Sequence, residues 1–192
     1  MDAAHHPITA TARRRQRQIE ECLYRNMLHT PYDAISVSDL CRQVGISRKA
    51  FYNYYHDKDE CFASVVDWFI RDGMLHVATQ VPDNASHLEG AMILLEYWRD
   101  HKTFFDVVIN NNLLHFLFIQ NMRYVLEEDR ATMEMLNTPD VKSDTDILAC
   151  YMSSQIMLFL QWYFRGFDTP TEDMARKLLR ILHLPLIPPA HA

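Results

Sequence analysis

All eight prolines of this sequence (Pro7, Pro31, Pro82, Pro139, Pro170, Pro185, Pro188 and Pro189) sit where an apolar helical periodicity stops. Only four glycines occur among the 192 residues. A proline inside a helix removes a backbone hydrogen bond and clashes with the preceding turn, and glycine weakens a helix interior. A chain that keeps the first at element ends and nearly omits the second can be helical along almost its whole length. No run alternates apolar and polar residues between turn signals, as a half-buried strand would. The expected fold class is all-α.

The apolar spacing predicts about nine helices. The first runs from about Thr9 or Thr11 to His29. Ile19, Cys22, Leu23 and Met27 form its stripe, and Arg13, Arg14, Arg15 and Arg17 crowd its first turns. Thr30-Pro31 ends it. A long helix opening at Asp57 has Cys61, Phe62, Val65, Val66 and Phe69 inward, and breaks near Pro82. HLEGAMILLEYWRDHK follows, with Leu88, Ile93, Leu94 and Trp98 inward. TFFDVVINNNLLHFLFIQNMRYVLEED holds two helices interrupted near Asn110-Asn111-Asn112. The polar LNTPDVKSD leads to a long helix from about Asp144 to Arg165, stopped by Gly166. Thr169 as N-cap, Pro170 at N1 and Glu172 at N3 start the last helix, and PLIPPAHA trails it.

The stretch SVSDLCRQVGISRKAFYNYYHDK carries the chemistry. Ser36 suits an N-cap, with Asp39 three residues on. Val37, Leu40, Cys41 and Val44 make a short inward face that stops at Gly45. Ser47 caps a second helix, RKAFYNYY. A helix, a short glycine-containing turn and a second helix are the signature of a helix-turn-helix. The second helix must pack on one side and enter a DNA major groove on the other. Phe51 and Tyr55 suit the core. Arg48 and Lys49 lie at the end that meets bases, and Tyr52, Asn53 and Tyr54 can bond phosphates or base edges. Lys58 can reach a phosphate, and Ser36, Ser38 and Ser47 can add hydroxyl donors.

Charge is distributed to match. Residues 10–58 carry nine Lys/Arg against five Asp/Glu, a net +4, and residues 59–192 carry ten against nineteen, a net −9. Only the head has the sign that a polyanion attracts.

Other chemistries lack residues. The four cysteines, Cys22, Cys41, Cys61 and Cys150, form no CxxC pair, so neither a zinc site nor a disulfide framework is expected. They read as buried thiols. His76, His101, His115 and His183 are scattered, and His5-His6 lie at the N-terminus. No ligand spacing results, and no metal or other cofactor is expected. There is no Ser-His-Asp arrangement, phosphate-binding glycine loop or HExxH, so an enzyme is not expected. The N-terminus has no apolar core of a signal peptide, and no stretch offers about 18 apolar residues. The expectation is a cytoplasmic protein without a membrane segment.

From Ile19 to Val66 the sequence resembles the N-terminal domain of the TetR/AcrR family of transcriptional regulators. SVSDLCRQVGISRKAFYNYYHDKDECF follows the family pattern of a short helix, an "aGvS" turn and an "fY..F..K..L" motif. Phe51-Tyr52, Tyr55 and Lys58 fall on its positions. Tyr55 stands where phenylalanine is usual and Cys61 where leucine is. WYFRGFDTPTEDMARKLL is similar to the ending of many members, in which the last two long helices dimerise. The resemblance implies a DNA-binding domain over residues 8–58, its linking helix continuing to about 79. A helical effector-binding and dimerisation domain would fill residues 59–192. It implies a homodimer on a double-stranded, pseudo-palindromic DNA operator, with Tyr52 and Lys58 on phosphates and Arg48, Lys49 and Asn53 reading bases. Repression, the commoner mode in that family, is the expected sign, with release by a small apolar effector. Trp98, Phe105, Phe118, Tyr124 and Trp162 are the candidates to line its pocket, although such side chains also build ordinary cores. The competing reading is a co-regulator whose head no longer binds DNA and which acts through protein contacts.

Overall fold

Capping side chains set the helix boundaries of the first third of the chain, and left-handed residues set several of the later ones. A computed structural model of the chain describes residues 10–82, 86–127 and 145–183. Among the described residues there are nine α-helices, one 3-10 turn and no strand. The helices are α1 (Ala10–Met27), α2 (Val37–Val44), α3 (Arg48–Tyr52), α4 (Lys58–Gln80), α5 (His87–Asp100), α6 (Lys102–Asn110), α7 (Leu114–Glu127), α8 (Thr145–Phe164) and α9 (Thr171–His183). The 3-10 turn covers Tyr32–Ala34. The all-α expectation is met. His5, His6, the polar stretch 136–144 and the tail from 184 lie outside the described residues.

The chain divides into two compact units, a head up to Trp68 and a body from Phe69 on, and α4 contributes to both. In the head, the predicted stripe of α1 (Ile19, Cys22, Leu23 and Met27) is buried with Leu40, Cys41, Phe51, Tyr55 and the Cys61–Val66 face of α4. Asn26 and Gln43 exchange amide hydrogen bonds, Nδ2 to Oε1 at 3.0 Å and Nε2 to Oδ1 at 3.1 Å, and so clasp α1 to α2. Arg17 lies over the Trp68 ring, 3.7 Å from its centre, and pins α1 to α4.

In the body, α9 packs on α5 and α8, and α7 packs on α8. The core is aromatic. Phe69 stacks on Phe104 at 3.9 Å between ring centres, and Phe105 meets Phe159 at 4.4 Å. The α6–α7 turn uses Asn112 with φ 59°, in the left-handed region that asparagine tolerates. Gly166 (φ 70°) ends α8 as expected, followed by Phe167, also left-handed.

Three local expectations are corrected. The inward face of α5 is Leu94, Leu95 and Tyr97, with Leu88, Ile93 and Trp98 only half-buried. The cause is Gly73 of α4, which lets the Tyr97 ring lie against its backbone. The last helix starts after Pro170, whose carbonyl accepts from Met174 N at 3.2 Å. Thr169 is held instead by the Trp162 indole, whose Nε1 donates to its carbonyl at 2.9 Å. Cys22, Cys41 and Cys61 are buried, but Cys150 is exposed.

Candidate nucleic-acid interface

The interface is built from three caps and one turn. Ser36 Oγ accepts from Asp39 N at 3.1 Å and donates to Asp39 Oδ2 at 2.7 Å, which starts α2. That hydrogen bond is the main reason the Asp39 carboxyl is held below its ordinary pKa. Gly45 (φ 72°, ψ 41°) ends α2 in the left-handed region, and the Ile46 amide reaches back to the Cys41 carbonyl at 2.9 Å. Ser47 Oγ accepts from Ala50 N at 3.1 Å and starts α3. Asp57 Oδ1 accepts from Glu60 N at 2.8 Å and starts α4, while Glu60 accepts from the His56 amide.

α3 is shorter than RKAFYNYY. It ends at Tyr52, with Asn53 as its C-cap. The Tyr54 and Tyr55 amides both turn to the Phe51 carbonyl, at 2.9 and 3.0 Å, which tightens the last turn. Burial requires this turn. Phe51 is 0 % exposed and Tyr55 3 %, and their rings meet at 5.6 Å. The inward pair fixes what faces out. Arg48, Lys49 and Asn53 are exposed, as is Tyr52 at 47 %, while Tyr54 is half-buried. Arg48 leans along the helix toward Tyr52, Nη2 to Oη at 3.5 Å. Ser36, Ser38 and Ser47 are exposed at the starts of α2 and α3. An exposed set of two cations, an amide, a phenol and hydroxyls, backed by the buried Phe51 and Tyr55, suits a groove lined with phosphates and base edges.

Lys58 is placed differently from these. Its Nζ donates to the carbonyls of Tyr32 at 2.6 Å and Ile35 at 2.9 Å, and it sits 4.0 Å from the centre of the Tyr32 ring. Partial burial lowers its pKa from the ordinary lysine value, against the opposing pull of Asp33 and Asp59. The sequence carried no sign of these two carbonyls, because they belong to backbone more than twenty residues away.

The candidate pocket residues of the body are not brought together as a set. Ring contacts join Trp98, Phe105 and Trp162 through Phe159, at 5.4, 4.4 and 6.3 Å. Tyr124 is buried on α7 with the Arg71 guanidinium 5.3 Å from its ring centre, and Phe118 is half-buried. Sequence reasoning passed over two buried amides. Asn121 Nδ2 on α7 and Gln155 Oε1 on α8 have no hydrogen-bond partner. Among the described residues no group of three or more His, Cys, Asp or Glu is gathered as a metal would need, and no helix is long and apolar enough to cross a membrane.

Comparison with known proteins bears on this face directly. Residues 25–65, which include all of α2 and α3, match the sequence profile of bacterial regulatory proteins, tetR family. The head thus carries the tetR-family sequence pattern across its helix-turn-helix. The chain is 28% identical over 96 residues to the HTH-type dhaKLM operon transcriptional activator DhaS of Lactococcus lactis subsp. lactis (strain IL1403). That match covers 49% of this chain and 49% of DhaS, so it spans about half the length of the relative. Solved structures share the fold along nearly the whole chain. A dihydroxyacetone kinase operon activator DhaS superposes with a TM-score of 0.50 at 20% identity, covering 88% of this chain and 94% of that one. A protein of Syntrophomonas wolfei str. Goettingen, solved as a TetR-family transcriptional regulator, does so at 0.58 and 14% identity, covering 91% and 97%. The helix-turn-helix and the helical body expected from the sequence are thus the TetR arrangement.

Proposed function

We propose that this TetR-family protein acts as a cytoplasmic homodimer that binds a pseudo-palindromic operator in a sequence-specific way, with residues 8–58 as the DNA-binding domain. The observation that carries the reading is the division of α3. Phe51 and Tyr55 are locked in the core while Arg48, Lys49, Tyr52 and Asn53 face out from it. Arg48, Lys49 and Asn53 read bases, and Tyr52, Tyr54 and the Ser36, Ser38 and Ser47 hydroxyls hold the backbone. A head that acted only through protein partners would have no use for two exposed cations at this end of the helix. The two heads of a dimer address half-sites about 34 Å apart, or a multiple of that.

Met157, Phe164 and Ile181, all exposed on α8 and α9, support dimerisation through these helices. The body is proposed to bind a small, largely apolar effector. Support comes from Asn121 and Gln155, whose buried unpartnered atoms offer one donor and one acceptor. Such an effector releases DNA only if it binds the released state more tightly. A 100-fold effect needs about 2.7 kcal/mol of coupling.

Repression is the sign we assign, from the commoner mode of the family. Activation is the second reading, and its support is specific, since the relative DhaS is named an activator. The test of the DNA reading is selection of bound sequences from a random pool by the purified protein at about 100 mM salt. An enriched inverted repeat is expected, and Arg48→Ala should relax the preference at one or two positions of each half-site. A folded protein that enriches nothing would turn the reading to a co-regulator. A reporter gene behind the selected operator then gives the sign of regulation.

A further inference from the structure

The arginines at the start of α1 have no part in the DNA face described above. The family profile matches residues 25–65, so Arg13, Arg14 and Arg15 lie outside it. Arg13 and Arg14 are exposed, and Arg15 is half-buried. No carboxylate among the described residues pairs with any of the three. By contrast, Arg17 holds Glu20 and Glu21, Arg42 holds Asp39, Arg165 holds Asp168 and Arg176 holds Glu172. Three of the nine cations of residues 10–58 are in this run, and without them the net charge there falls from +4 to +1.

Their place on the helix is unfavourable. The N-terminal end of a helix carries partial positive charge, which acids offset and cations oppose. α2, α4, α5 and α9 place Asp39, Asp59 with Glu60, Glu89, and Glu172 with Asp173 in their first turns. Lys102, which opens α6, holds Asp106. The first turn of α1 contains no acid; Arg13 stands in it and Arg14 and Arg15 follow directly. A polyanion turns that repulsion into attraction. The run also lies close to the recognition helix. Glu20 of α1 accepts from Tyr55, three residues past the last residue of α3. At about 1.5 Å of rise per residue, Arg15, Arg14 and Arg13 stand about 7.5 to 10.5 Å along α1 from that contact.

We infer that Arg13, Arg14 and Arg15 form a second DNA contact of the head: they neutralise backbone phosphates that flank the bases read by α3, and so set affinity without setting sequence preference. The inference rests on the DNA-binding reading above. Each phosphate neutralised by a cation adds about 0.9 to the slope of log affinity against log salt. One to three such phosphates in each of two heads contribute about 2 to 5 to that slope.

The experiment measures affinity from about 50 to 300 mM salt on two duplexes that carry the inverted repeat enriched in the selection. One extends about 10 base pairs, a helical turn, beyond each half-site, and the other stops at the outer edges of the half-sites. The Arg13→Gln/Arg14→Gln/Arg15→Gln variant is expected to lose about 2 to 5 from the slope and to bind the long duplex about 10-fold or more weakly at about 100 mM salt. On the trimmed duplex it should differ much less from the wild type. Arg13→Lys/Arg14→Lys/Arg15→Lys keeps the charges and should keep the slope. Both variants should select the same repeat as the wild type. Glutamine forms helices about as well as arginine and removes the repulsion at the start of α1, so the glutamine variant should melt no lower than the wild type. A wild-type slope for that variant on both duplexes would overturn the inference. So would weaker binding at constant slope, or an equal loss on the two duplexes, since either places the effect in the fold or within the half-site. An altered repeat would make these arginines base readers and overturn the phosphate assignment. If the triple glutamine variant does not fold, Arg14→Gln decides alone, by a slope lower by about 2, one phosphate in each head. A wild type that binds no DNA would overturn the DNA reading itself, a result distinct from the others.

Discussion

The Tyr55 hydroxyl donates to Glu20 Oε1 at 2.8 Å, joining the turn that follows α3 to the middle of α1. With the ring of Tyr55 packed on Phe51, this bond makes the end of α3 answer to α1 as well as to α2. Tyr55→Phe keeps the ring and removes the bond. Glu20 retains Arg17, whose Nη1 lies 3.5 Å away, so its carboxylate is not orphaned. The expected cost is about 1 kcal/mol of unfolding free energy, with operator affinity within about twofold of wild type. Urea unfolding measures the first and a binding titration the second. A loss of affinity without a loss of stability would mean that Tyr55 acts on the DNA and not on the fold.

Three tyrosines share this kind of burial, and they make stability depend on alkaline pH. Burial above all pushes the hydroxyls of Tyr32, Tyr55 and Tyr97 far above the ordinary tyrosine value. Acceptor carboxylates add to it: Asp59 for Tyr32, Glu20 for Tyr55 and Asp72 for Tyr97. The folded state keeps protons that the unfolded chain releases above its tyrosine pKa near 10. Stability is therefore whole below about pH 10 and falls as pH rises beyond it. The slope is up to about 1.4 kcal/mol per pH unit for each tyrosine. Unfolding followed from pH 8 to 11 should show this break, and Tyr97→Phe should make the fall shallower. A curve flat to pH 11 would show that these hydroxyls ionise in the folded protein.

Gly73 tells where sequence reading could not reach. A Cβ built there would stand 2.9 Å from Tyr97 Cε1 and 3.3 Å from Cδ1. The ring has little room to retreat, since its hydroxyl is bonded to Asp72 at 2.7 Å and the His101 ring lies 4.1 Å away. Gly73→Ala gains about 1 kcal/mol of helix propensity and meets overpacking of about 1–3 kcal/mol. The net expectation is destabilisation by about 1 kcal/mol, seen as a lower melting temperature. Gly73→Ala in a Tyr97→Leu background should be neutral or stabilising. If Gly73→Ala alone stabilises, the contact is softer than its distance implies.

The features legible in the sequence are those written locally. Ser36, Gly45 and Ser47 announce their caps and turn by residue type within a few positions, and Phe51 and Tyr55 announce their burial by spacing. What depends on a partner far along the chain was not legible. The inward face of α5 is set by a glycine on α4, so spacing alone favoured Trp98 over Tyr97. The start of α9 is set by the Trp162 indole on the Thr169 carbonyl. The cysteine at 150 looked like its three buried counterparts because neighbours in sequence do not say which side of a helix meets solvent. The partners of Lys58 are backbone carbonyls, which every residue carries and no sequence motif marks.

Oligomeric state is the remaining test, and Phe164 is the residue to change. It is 64 % exposed at the end of α8, two turns beyond Met157 at 49 %, and so on the same side of the helix. A phenylalanine that open to water is stabilised by about 1.5–3 kcal/mol when a partner covers it, and a two-fold interface counts it twice. Phe164→Glu replaces that gain with a charge that must be desolvated. The dimer dissociation constant should rise by about 100-fold or more, and affinity for the inverted repeat should fall with it, because each monomer then holds only one half-site. Leu75→Glu is the control: its leucine is 63 % exposed on α4, and the change should leave the dimer intact. Sedimentation equilibrium reads both. A Phe164→Glu protein that still sediments as a tight dimer would move the interface away from α8.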